Sequence, residues 1–131
     1  MKIRLVVLGI LVLFSVGCSQ VVYRVSSDTP LKMDTQQATD IIKSKLLTME
    51  KSLTIQKITF DGDFRMIHSN NQVIGVSSLS DVVPEVNKDG DAYSVAIDTT
   101  HVKRYLYWKS ESDARQFVDA VYFLRKNQEG R

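Results

Sequence analysis

The 131-residue chain has one cysteine, two prolines and two histidines, and each scarcity excludes something. With Cys18 alone, no disulfide forms within the chain, so the fold rests on its apolar core. A transition-metal centre would need His68 and His101 to meet a carboxylate such as Asp98, and nothing in their spacing demands it. No serine stands in a Gly-x-Ser-x-Gly elbow or beside a histidine in a strand-to-helix context. Asp61 and Asp63 flank Gly62, for which a turn is the simpler cause. Glu85-Val86-Asn87-Lys88-Asp89-Gly90 starts like a calcium loop, but the twelfth position is Ala96, so a solvated hairpin turn is expected instead. No metal or cofactor is expected, and the chain reads as non-enzymatic. A hydrolase using His68 or His101 is the least favoured alternative.

Acid is absent from the start of the chain. Lys2 and Arg4 precede an apolar run from Leu5 to Phe14, which is the pattern of a secretory signal. About ten residues of helix reach roughly 15 Å, half of a bilayer core of about 30 Å. Ser15-Val16-Gly17-Cys18 follows, and here the chain resembles bacterial lipoprotein precursors, in which a small residue precedes the cysteine that is lipidated. The resemblance implies cleavage before Cys18, acylation of Cys18, and a stable membrane anchor. Ser19 at the next position resembles outer-membrane sorting, facing the periplasm, in a Gram-negative host.

Loss of Lys2 and Arg4 with residues 1–17 reduces 17 basic side chains to the number of acidic ones, 15. The basic pI of about 8.7 therefore belongs largely to the signal segment, and no nucleic-acid partner is expected. About 113 residues follow Cys18, enough for one domain.

Residues 18–33 read as a lipidated tether with a short β-prone run, Val21-Val22-Tyr23-Arg24-Val25, inside it. The single α+β domain is expected over 34–126, with 127–131 as a flexible tail. Asp34 and Gln37 have capping-box spacing, and Ala38, Ile41, Ile42, Leu46 and Met49 predict a helix over about 35–50. Five runs read as strands: Ile55–Phe60, Phe64–His68, Val73–Ser77, Tyr93–Ile97 and Lys103–Trp108. Pro84 makes Leu79–Val86 an edge strand or an irregular connection. Ser110 and Asp113 again have capping-box spacing, opening a helix with Ala114, Phe117, Val118, Val121 and Leu124 as its apolar stripe.

From Leu79 to Arg125 the chain resembles small bacterial proteins, several of them lipoproteins, with a pleckstrin-homology-like (PH-like) fold. The resemblance lies in a strand around Leu79-Ser80-Asp81-Val82, the strands Tyr93–Ile97 and Tyr105–Trp108, and the helix Asp113–Ala120. It implies an antiparallel sheet or partly open barrel, a C-terminal capping helix, and an added N-terminal helix. It also implies a groove that takes peptides, lipids or proteins.

The binding candidates lie in the aromatic, basic stretch at the chain's end. Tyr105 and Tyr107 share one face of their strand, with Lys103, Arg104, Lys109 and Arg115 nearby in sequence. The expected function is a lipid-anchored envelope interaction module, or accessory subunit, that binds a protein partner. The alternative is a carrier or sensor of a small amphiphile, held between Tyr105, Tyr107 and the N-terminal helix.

Overall fold

The computed structural model describes residues 20–50, 55–99 and 102–129. The signal segment, Cys18, Ser19 and His101 lie outside the described residues. Among those described, no helix is long and apolar enough to cross a membrane.

Helix α1 (Thr35–Thr48) begins where the sequence places a cap. Asp34 Oδ1 accepts from Gln37 N at 2.8 Å, and Gln37 Oε1 accepts from Asp34 N at 2.9 Å. Two end-group donors are thereby satisfied. Ala38, Ile42 and Leu46 are buried on one stripe. The helix ends as Met49 turns extended and Glu50 forms an antiparallel bridge to Tyr107.

Helix α2 (Glu111–Glu129) departs from expectation at both ends. Ser110 Oγ accepts from Asp113 N at 3.2 Å, but Asp113 turns its carboxylate to Lys45 Nζ at 2.8 Å. An ion pair between the two helices replaces the reciprocal half of the capping box. At the other end, residues 127–129, expected in a flexible tail, continue the helix.

Among the described residues, seven strands form two antiparallel sheets. The larger has the order β1 (Gln20–Arg24), β5 (Glu85–Asp89), β6 (Ala92–Asp98), β7 (Lys103–Trp108). The smaller is a meander of β2 (Lys57–Phe60), β3 (Phe64–His68) and β4 (Gln72–Ser77). Gly62, at φ 111°, turns the first hairpin, and the left-handed Asn70 and Asn71 turn the second.

Two sequence expectations need correction. Leu79–Asp81 is a 3₁₀ turn, not a strand. Glu85–Asp89, expected in a hairpin turn, is β5, an interior strand between β1 and β6, and the turn itself falls at Gly90. Pro84 sits at the kink between them and lacks the N–H a ladder needs, while its carbonyl accepts from Val25 N at 3.0 Å. Leu79–Pro84 is thus the irregular connection that Pro84 implied, but Glu85 and Val86, expected in it, already belong to an interior strand.

One core joins both sheets and both helices. Phe117 of α2 is fully buried, 4.9 Å from the Trp108 ring and 5.8 Å from the Phe64 ring. Trp108 Nε1 donates to Lys45 O at 2.8 Å, so the burial of its indole leaves no donor unpaired. The result is an α+β fold with two antiparallel sheets and a C-terminal capping helix; among the described residues the sheets do not close into a barrel.

The β-prone run expected within 18–33 is β1, and it belongs to the larger sheet. Its register places Gln20 opposite Lys88 and Arg24 opposite Glu85. Tyr23 OH donates to Asp119 of α2 at 2.5 Å, and Lys126 Nζ donates to Ser27 O at 3.2 Å. The first described residue, Gln20, two residues after Cys18, is thus already part of the sheet.

Candidate functional site

Strand alternation divides the residues nominated on β7. Leu106 and Trp108 are buried on the inner face, and Arg104 shares their parity. Tyr105 and Tyr107 stand on the outer face, ring centroids 6.4 Å apart, with Lys103 Nζ 5.7 Å from the Tyr105 ring. Burial raises the Tyr107 pKa, and the negative charge of Asp89 adds to the rise. These three residues form one small aromatic and basic patch. The other three nominated residues are elsewhere.

Lys109 reaches only Glu50, at 3.8 Å, and is largely exposed. Arg115 lies 4.2 Å from the Tyr23 ring centroid and pairs with Glu111 at 3.4 Å. Its cation therefore fastens β1 to α2, and Arg125, donating to Val82 O at 3.2 Å, fastens the kinked segment in the same way. On α2, then, Arg115, Arg125 and Lys126 are used for structure, while Lys103, Arg104 and Lys109 on and beside β7 are not. In the Tyr23 cluster, burial pushes the phenol up to about 12, reinforced by Asp119 and partly offset by Arg115. Burial also raises the Asp119 pKa, against the opposing pull of the Tyr23 hydrogen bond and Arg115.

The groove expected between the two tyrosines and α1 does not form. Trp108, not Tyr105 or Tyr107, faces α1, through its bond to Lys45 O. The β7 backbone stands between that helix and the tyrosines. Apolar side chains of α1 open instead toward β2, where Lys43, Leu46, Leu47, Ile58 and Phe60 line an open groove of about 240 Å³.

The most exposed apolar sheet surface is on β4, which the sequence reading passed over. Val73 is 51 % exposed, Val76 49 % and Ile74 37 %. β4 is an edge strand, and Gln72–Ser77 contains no charged residue. The other edges each carry a cation: Arg24 on β1, Lys57 on β2, Lys103 and Arg104 on β7. Charge on an edge opposes pairing with a second chain, and among the described edges β4 alone lacks that protection. A bulge at Ile74 is its one irregularity: Met66 pairs with Gly75, and Ile67 with Val73. The signal was available in the sequence as a six-residue stretch with apolar residues on both parities and no charge.

Beside β4 lies a cavity of about 110 Å³ between the two sheets, walled by Met66, Ile74, Ile97 and Val102. Arg104 and Ser77 also line it. Ser77 is 2 % exposed and its Oγ is buried without a hydrogen-bond partner. An unpaired buried hydroxyl costs about 1–3 kcal/mol. Arg104 has no hydrogen-bond or ion-pair partner among the described residues, unlike Arg24, Arg65, Arg115 and Arg125.

His68 ends β3 exposed, and among the described residues no three His, Cys, Asp or Glu side chains converge as a metal centre requires. Arg65 lowers the Asp61 pKa by hydrogen bonding across the hairpin, so this carboxylate serves the turn. Compared with protein-family models, with curated proteins and with solved structures, the chain matches none.

Proposed function

We propose that this protein is a lipid-anchored interaction module of a bacterial cell envelope, non-enzymatic, which binds a protein partner by accepting an extended segment along β4. In a Gram-negative host its place is the outer membrane, facing the periplasm. The observation that carries this reading is the β4 edge: uncharged, unpaired on one side among the described residues, with Val73 and Val76 about half exposed. Strand addition supplies backbone hydrogen bonds, and exposed branched side chains supply apolar contact. The finer fold reading, a PH-like partly open barrel with α1 added, rests on two antiparallel sheets sharing a core with a C-terminal helix.

Anchoring at Cys18 suits this arrangement. Two residues span at most about 7 Å, so acylation there holds the start of β1 close to the bilayer. Gln20, Lys88, Tyr93 and Trp108 share one row across the larger sheet through their register. Arg104, four residues back along β7, stands about 13 Å from that row. The cavity-bearing end is thereby presented away from the membrane.

Photo-crosslinking in cells, with the lipidated full-length protein, tests the reading. A photoreactive residue at position 73 should capture one reproducible partner, one at position 47 should not, and Val76→Lys should abolish the capture. A properly anchored and folded protein that captures nothing at position 73, or captures only a second copy of itself, overturns it.

A further inference from the structure

We infer that the cavity between β4 and the β6–β7 end binds a carboxylate carried on a short branched apolar group, with the carboxylate on Arg104 and Ser77. Three observations converge there: an unpaired cation, an orphaned buried hydroxyl and an apolar wall. The guanidinium has five N–H donors in a planar fork and no acceptor, which matches the two oxygens of a carboxylate. Ser77 also lines the cavity, and its buried hydroxyl, without a partner of its own, is free to donate. Of the other lining residues only Thr99 has a polar side chain, and its Oγ1 is engaged with the Val102 backbone, so a second charged group finds no partner. Asp98 is exposed and falls on the opposite parity of β6 from Ile97, so no carboxylate on that strand competes from inside.

Size narrows the class. A cavity of roughly 150 Å³ admits a benzene-sized molecule, and this one is about 110 Å³. It has room for a short branched chain and none for an acyl chain of lipid length. A cation is repelled by Arg104, and a polyanion meets only one positive charge and an apolar wall. Two sources carry the matching chemistry: a free short-chain acid, or the C-terminus of a polypeptide lying along β4 and ending in a small branched residue. A free acid needs no strand addition to β4, so the site can be tested apart from that reading.

The test is a chemical-shift titration of the full-length chain in detergent micelles with four probes: isovalerate, isovaleramide, and acetyl-Thr-Val-Thr-Val bearing a free or an amidated C-terminus. Isovalerate should shift Ser77, Ile97 and Arg104 saturably, and isovaleramide should not. Arg104→Met, with its spectrum still dispersed, should abolish the response, and Ser77→Ala should weaken it about tenfold. Tighter binding of the free-acid peptide than of isovalerate, with shifts spreading along β4, assigns the chain terminus as ligand. Equal or weaker peptide binding assigns the free acid. Identical responses to acid and amide, no saturation, or unchanged binding in a dispersed Arg104→Met variant overturn the inference. Because no cellular partner is involved, this failure and the failure of the crosslinking are separate results.

Discussion

The two sheets are built from similar strands but are treated differently. In the larger sheet, α2 packs on the inner face, Tyr23 bonds to Asp119, and β7 receives Glu50 N at its Tyr107 carbonyl at 2.7 Å. In the smaller sheet the inner residues Ile58, Phe60, Phe64 and Met66 are buried, while Val73 and Val76 on β4 remain half exposed. The larger sheet is fastened by polar bonds as well as packing; the smaller ends in a strand that, among the described residues, nothing pairs on one side. Phe117 therefore ties α2 to rings of both sheets, and the bare apolar surface lies at the smaller sheet's rim.

Loss of the shared aromatic contact should have the largest effect. Phe117→Ala is expected to destabilise by about 3–5 kcal/mol, since Phe117 touches rings from both sheets. A urea midpoint unchanged within error would mean that the sheets do not share one core. Next, Tyr23→Phe removes the bond to Asp119 and should cost about 1 kcal/mol, again read by urea unfolding. Burial of the same phenol, reinforced by the bond to Asp119, predicts a pH dependence. The folded Tyr23 pKa, about 12, lies above its ordinary 10.0, so its contribution is complete below pH 10 and lost as pH rises toward 12. Tyr23→Phe should flatten that part of the stability profile, and an unaltered profile would place the titration elsewhere.

Smaller effects probe the rim itself. Amide exchange should be faster along the outer edge of β4 than in β6, whose residues 94–97 are all buried. Equal protection would remove the contrast between the sheets. Val76→Lys should change stability by no more than about 0.5 kcal/mol, because the side chain lies on an open face. A large loss of stability would show that Val76 supports the core and would make its use as a docking-surface probe unsafe.

The local features that depend on near neighbours were legible in the residues. Asp34 with Gln37, the α1 stripe Ala38–Ile42–Leu46 and the α2 stripe around Phe117 all follow from helical period. The alternation of Leu106 and Trp108 against Tyr105 and Tyr107 was legible for the same reason. Partners distant in sequence were not. Asp113 looked like half of a capping box, yet Lys45, 68 residues away, takes its carboxylate. Arg115 looked like part of a binding surface, yet Tyr23 and Glu111 occupy it. β5 was hidden because Glu85–Asp89 is polar, and its place between two strands is set by β1, which returns from more than sixty residues earlier.

By itself, the sequence determined the helices, most strands, the turns and the lack of any internal disulfide, because period, capping and cysteine count act within a few residues. Only the tertiary structure decided which edge of which sheet stays bare, which arginine lacks a partner, and where Ser77 is buried. Those properties depend on what packs against a residue from far along the chain, and no local pattern encodes that.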